Sequence, residues 1–241
     1  MSATPTPPPS CRWAIAPKVV VWDVDDTLVL ERDFARSGFS AVGEWLAVHH
    51  GLQGFFSAAW GAFERGVRGK IFNEALAALD AQGFGEEDIQ RLVGVYREHP
   101  ANIFMLGDAA RVMDTLVEQG ISMAVITDGP PEMQRNKVKA LKLSKRCDPV
   151  VLGWEQGKAF GKPHPSSYES VERHYELKGA DLVYIGDNPH KDFIAPRKMG
   201  WRTVRVRRPM GLHSGAPSRD DVDCELESLD DLLDILGVRT Q

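Results

Sequence analysis

Val19-Val20-Val21-Trp22-Asp23-Val24-Asp25-Asp26-Thr27-Leu28 joins a β-branched apolar run to an abrupt cluster of carboxylates. A short apolar run bounded by polar residues reads as a strand buried on both faces, the kind found in parallel sheets. The same grammar returns twice. Met123-Ala124-Val125-Ile126 ends in Thr127-Asp128-Gly129, and Leu182-Val183-Tyr184-Ile185 ends in Gly186-Asp187-Asn188. Val150-Val151-Leu152 and Thr203-Val204-Arg205-Val206 are weaker strands of the same kind.

Helical patterns separate the strands. Asp108 is placed to cap a helix running through Arg111-Val112-Met113 and Leu116-Val117, with Gly120 as its stop. Further helices follow Pro131 and run through Tyr168-Glu169 and Val171-Glu172. Strands alternating with helices predict an α/β fold with a doubly wound parallel sheet. In such sheets ligands bind beyond the carboxyl ends of the strands, where Asp23, Thr127 and Asp187 fall.

The interval from the first strand to the second is too long for one crossover helix. Residues 31–105 carry no convincing strand and read as helices broken by Gly51, Gly61, Gly83 and Gly85. In one of them Ile89, Leu92, Val93 and Tyr96 recur at i, i+3, i+4, i+7, an amphipathic face. This segment is expected to be a helical cap inserted into a core made of residues 17–30 and 106–241. Residues 1–16, rich in proline and small residues, read as a disordered leader, and Arg207 to Val222 as a long surface loop.

The net charge of −5 leans against broad binding of nucleic acid or anionic membrane surfaces. No run approaches the ~18 apolar residues a spanning helix needs, and the N-terminus lacks the pattern of a signal peptide. Cys11, Cys147 and Cys224 are far apart and show no C-x-x-C spacing, which fits reduced thiols in a cytoplasmic protein. Nothing in the sequence bears on the oligomeric state.

Carboxylates at the ends of several strands repel one another and lose solvation when gathered in a cleft, unless a divalent cation neutralises them. Hard oxygen donors suit magnesium, which also binds substrate phosphate. On an extended segment Asp23 and Asp25 share a face. One carboxylate can then attack phosphorus while the other serves the leaving oxygen and the hydrolytic water. By itself, Asp-x-Asp is as readily a strand end followed by an Asp-rich turn. Thr127 can donate its hydroxyl to a phosphoryl oxygen or merely cap a turn. Lys162, in Gly161-Lys162-Pro163-His164-Pro165, can offset the charge of phosphate and carboxylates, although a lone lysine is ordinarily solvated. Asp187 is placed to ligate metal, and Asp192 to orient it, a water or Lys162, with Asn188 beside them.

These elements, in this order, resemble the four motifs of the haloacid dehalogenase superfamily. They are D-x-D-x-T at 23–27, a Thr after the second strand, a Lys-Pro, and G-D-x-x-x-x-D at 186–192. The resemblance spans about residues 17–235. It implies Asp23 as nucleophile and Asp25 as acid/base. It further implies Mg2+ held by Asp23, the backbone carbonyl of Asp25, and Asp187, with Thr127, Asp128 and Lys162 around the phosphoryl group. The second Asp of D-x-D resembles phosphatases and phosphomutases rather than dehalogenases, and the long insertion resembles a C1 cap. Trp22 replaces a common Phe, and Asp128 a frequent Asn, which adds negative charge near the phosphate. The expected activity is hydrolysis of a small phosphorylated metabolite, such as a sugar phosphate or nucleoside monophosphate. A phosphomutase and a non-catalytic binding protein are the rivals.

Other polar residues carry weaker expectations. His49-His50 cannot face one ligand from adjacent helical positions. Arg97 and His99 lie near the return of the insertion. Arg205, Arg207 and Arg208 read first as a solvated strand end, and Phe34 and Phe39 as core of the cap.

Overall fold

The structure, a computed structural model, describes residues 11, 13 and 15–238. Its centre is a parallel six-stranded sheet in the order β3-β2-β1-β4-β5-β6. The strands are β1 (Val19–Trp22), β2 (Ser122–Thr127), β3 (Val150–Leu152), β4 (Leu182–Gly186), β5 (Arg202–Val206) and β6 (Cys224–Leu226). The short β6 was not anticipated. Alternation explains why β1 is apolar throughout. Val20 and Trp22 enter one core, Val19 and Val21 the other, and β2 and β4 divide their side chains the same way.

Helices cover both faces. Helices α5 (Gly107–Glu118) and α9 (Leu232–Leu236) pack on the Val20–Trp22 side. Helices α7 (Ser166–Tyr175) and α8 (Ile194–Lys198) pack on the other. The N-cap position of α5 is Leu106, not Asp108, but the Asp108 carboxylate still serves the first turn, its Oδ1 accepting the Ala109 amide at 2.8 Å. Its other oxygen pairs with Arg208 and accepts from the Leu229 amide at 2.8 Å, which joins the helix start to a distant loop.

Between β1 and β2 the chain forms α1 (Glu31–His50), α2 (Phe55–Glu64), α3 (Ile71–Ala78) and α4 (Glu86–Glu98). These helices share a core of their own, built on Phe39, Val42, Leu46, Phe55, Phe72 and Leu92. Gly51 ends α1 in the left-handed region, at φ 65°, where a Cβ is disfavoured. Gly61, by contrast, lies inside α2 and breaks nothing. The excursion closes on itself, because the Leu106 amide donates to the Leu28 carbonyl at 2.8 Å. Phe39 packs in this helical core, whereas Phe34 belongs to the core under the sheet. His49 stacks on Trp45, and His50 lies between Trp45 and Phe84.

Most of the expected leader lies outside the described residues. Within it, Cys11 is buried in the core on the Val20 side and Trp13 packs against that core beneath the Arg202 guanidinium. All three cysteines are free and buried. Among the described residues no helix is long and apolar enough to cross a membrane.

Candidate active site

Parallel strands deliver their last residues to one edge, and that edge gathers the motif residues. Asp23, immediately past β1, is fixed by its amide donating to the Ile185 carbonyl at 2.8 Å. Its carboxylate accepts from the Lys162 ammonium at 2.6 Å. Lys162 also pairs with Asp192 at 2.8 Å and donates to the Tyr184 hydroxyl at 2.9 Å, with its side chain wholly shielded from solvent. Asp23, Asp187 and Asp192 place carboxylate oxygens within 4.8 Å of one another, all buried.

One ammonium among three carboxylates leaves the cluster short of positive charge. Burial raises the Asp23 pKa, against the pull of Lys162, to about 7. Burial, reinforced by Asp192 and Asp23, holds the Asp187 carboxyl well above the ordinary range. For Lys162, burial opposes the charge but Asp192 and Asp23 outweigh it, so the ammonium persists. A compact set of hard oxygen donors with excess negative charge fits a divalent cation of the magnesium type.

A cavity of about 260 Å³ opens above these groups, lined among others by Asp23, Asp25, Glu31, Trp154, Asp187 and Lys191. A larger cavity of about 800 Å³ lies between α1 and residues 99–104 and includes none of the motif residues. His99 borders that second cavity, buried and held by Ser37 and the Tyr96 carbonyl. Arg97 is exposed.

Thr127 ends β2, and its hydroxyl donates to the Gln134 side-chain oxygen at 3.0 Å. Gln134 in turn donates to Asp25 at 3.2 Å and to the Asp128 carbonyl at 2.9 Å. The Asp25 carboxylate does not join the Asp23–Asp187–Asp192 group. It pairs with Lys137 at 2.5 Å, and both Gln134 and Lys137 come from α6 (Pro131–Ala140). Asp128 turns its carboxylate under the Lys162 loop, where Oδ2 accepts the Lys162 amide at 2.8 Å. A Cβ at Gly153 would stand 2.1 Å from its other oxygen, so only glycine fits there. Asp128 thus braces the loop that carries Lys162. Asp192 does the same for the acidic loop, accepting the Asn188 amide at 2.9 Å, with Gly186 bare so that the carboxylate can approach.

The arginines after β5 are not a solvated strand end. Arg205 is fully buried, donating to the carbonyls of Asp187 and His213 and pairing with Glu225. Arg208 donates twice to the Thr27 carbonyl, at 3.1 and 2.7 Å. Arg207 pairs with Glu225 and holds the carbonyls of Ser214 and Ala216. These side chains strap the 207–222 loop to the backs of the two acidic turns. Asp26 completes the strap. Buried at φ 51°, it accepts the amides of Glu31 and Leu212 at 2.9 and 2.8 Å.

Sequence reasoning missed Gln134, Lys137, Glu31, Tyr184 and Trp154. The available signal was a Gln and a Lys at i, i+3 on the inward face of a helix that starts just beyond Thr127.

A family model of haloacid dehalogenase-like hydrolases matches residues 17–200, and the chain belongs to that family. It is an enzyme of that family, a hydrolase, and its relatives include phosphatases. It is 26% identical over 229 residues to a glyceraldehyde 3-phosphate phosphatase of Methanocaldococcus jannaschii, covering 91% of this chain and 96% of the relative. A phosphoserine phosphatase of Thermus thermophilus is 24% identical over 230 residues, covering 79% of this chain and 89% of the relative. A magnesium-bound family hydrolase of Bacillus subtilis has the same fold, with TM-score 0.63 and 18% identity over 92% of this chain and 100% of that one.

Proposed function

We propose that the protein is a magnesium-dependent phosphatase of small phosphomonoesters that works through a phospho-aspartate on Asp23. The observation that carries this reading is the Asp23 carboxylate, gripped by Lys162 at 2.6 Å on the floor of a cavity of about 260 Å³. Its phosphatase relatives and the cation-fitting carboxylates beside it support the same reading.

Asp23 forms the new P–O bond as the ester P–O bond breaks, and Asp25 gives its proton to the departing alkoxide. Water then attacks the phosphorus, the bond to Asp23 breaks, and Asp25 recovers a proton from that water. Asp23, Asp187 and the backbone at Asp25 would hold the magnesium ion, which lowers the repulsion between phosphate and carboxylates. Lys162 neutralises charge from the opposite side, and Asp128 and Asp192 keep its loop and the acidic loop in place. Thr127 and the amides of its turn face the phosphoryl oxygens once Gln134 releases the hydroxyl.

A cavity of this size suits a phosphate carrying a few carbons, a glycerol- or serine-sized ester better than a nucleotide. Helices α1–α4, entering through Glu31 at the cavity wall, are read as a lid that excludes water from the phospho-aspartate. The deciding experiment is Asp23→Asn, since an amide is not a competent nucleophile. Turnover of small phosphate esters is expected to vanish while folding is kept, and beryllium fluoride is expected to settle on Asp23 in the unaltered enzyme. Wild-type turnover by the folded variant would defeat the covalent mechanism.

A further inference from the structure

Asp25 is held from outside the acidic cluster, and by one helix. Lys137 reaches one of its oxygens at 2.5 Å and Gln134 the other at 3.2 Å. The two residues sit at i, i+3 on α6 and both are buried, the Lys137 side chain to 1% exposure. An ammonium this deep is costly unless paired. The partners found for it are the Asp25 carboxylate and the face of Phe34, whose ring centre lies 4.5 Å away. Phe34 belongs to α1 and meets Tyr96 and His99 edge-on or tilted, so the pair is packed from the helical insertion as well. Gln134 fastens the same carboxylate to the Thr127 hydroxyl and the Asp128 carbonyl.

We propose that Lys137 and Gln134 form a two-point clamp on α6 that orients the Asp25 carboxylate for proton transfer, Lys137 being the principal positioning residue. This rests on the reading of Asp25 as acid/base. Gln134 lines the same cavity as Asp23 and Asp187, whereas Lys137 lies behind Asp25 and outside that lining, so Lys137 acts only through Asp25. Fixing a carboxylate at both oxygens removes its rotation about the Cβ–Cγ bond. The proton that Asp25 carries on an oxygen lone pair is then aimed at the leaving oxygen in the first half-reaction, and the vacated lone pair at water in the second. General acid/base assistance matters most where the leaving group is poor. Loss of the clamp should therefore harm alkyl phosphates far more than the departure of nitrophenolate, which needs no proton.

The test compares Lys137→Met, Lys137→Arg and Asp25→Asn using glycerol phosphate and 4-nitrophenyl phosphate, with rapid-mixing measurements on the latter. Lys137→Met is expected to lower alkyl-phosphate kcat by about 10–100-fold, within the ~10²–10⁴-fold worth of the acid/base itself, with little change in KM. With nitrophenyl phosphate it should retain a fast burst of nitrophenolate followed by slow turnover. Lys137→Arg should restore part of the loss. In the Asp25→Asn background Lys137→Met should cost almost nothing more, because both changes strike one unit.

A nitrophenolate burst slowed as much as alkyl-phosphate turnover, or a loss undiminished in the Asp25→Asn background, would overturn the clamp and leave only a structural ion pair. If Asp25→Asn itself spared alkyl phosphates, the acid/base reading would fail first and visibly. Melting curves guard against misfolding. Should Lys137→Met not fold, Gln134→Leu, which keeps the ion pair, must show the same substrate split at smaller size.

Discussion

Replacing Lys162 with methionine removes the one ammonium that sits among three buried carboxylates. Lys162 reaches Asp23 at 2.6 Å, Asp192 at 2.8 Å and the Tyr184 hydroxyl at 2.9 Å. Methionine keeps most of the volume and leaves the carboxylates facing one another within 4.8 Å. Breaking a buried pair from one side costs about 3–5 kcal/mol. For a chain of this size each kcal/mol moves Tm by about 2–4 °C, so a fall of roughly 6–20 °C is expected. The assay is thermal unfolding followed by circular dichroism, at pH 8 in chelator. Millimolar magnesium should recover much of the loss, since a ligand at 100 times its Kd adds about 2.7 kcal/mol to the folded state. At pH 5.5 the deficit should shrink, because Asp23, with its pKa near 7, takes up a proton instead of standing charged. Lys162→Met combined with Asp192→Leu should be more stable than Lys162→Met alone. A folded Lys162→Met protein that melts with the wild type in chelator at pH 8 would refute the idea that this ammonium offsets the cluster.

Activity should disappear in chelator and return with magnesium, while calcium should inhibit, because its looser and higher coordination misplaces Asp23; full turnover after exhaustive chelation would exclude the cation. In metal-free protein, Asp23 and Glu31 each bind protons up to about pH 7 when folded and only to about pH 4 when unfolded. The folded state holds more protons in that window, so Tm should fall as pH rises from about 4 to about 7. Asp23→Asn should flatten the fall, and an unchanged slope in that variant would count against it. Small phosphomonoesters should be turned over far faster than intact phosphoproteins at matched concentration; the reverse order would mean that α1–α4 leave the site uncovered.

The sheet was legible because strands buried on both faces must be apolar throughout, so Val19–Trp22 and Leu182–Ile185 announce themselves without any help from their neighbours. The carboxylates that end those strands were legible for the same reason, as interruptions of an apolar run. What stayed hidden depends on which way a polar side chain turns. Arg205 looks like any arginine at a strand end, and only the fold brings the carbonyls of Asp187, His213 and Ala216 around it. Asp128 reads as a charge beside phosphate until Gly153 and the Lys162 amide are seen to draw it beneath their loop. Lys137 was invisible because its partner lies 112 positions away in the chain.

The contact between the Leu106 amide and the Leu28 carbonyl has an evolutionary consequence. Where a chain leaves a scaffold and re-enters it at hydrogen-bonding distance, the scaffold is indifferent to how much lies between. The entropic penalty of a longer excursion grows only logarithmically, by about 0.6 kcal/mol per doubling. Helices that pack only in the separate core, α2 and α3, can thus be added or exchanged with little disturbance to the strands, whereas α1 is tied to the sheet through Phe34. Such a lineage can acquire new substrates by changing this one excursion, while its phosphoryl-transfer chemistry passes unaltered from one descendant to the next.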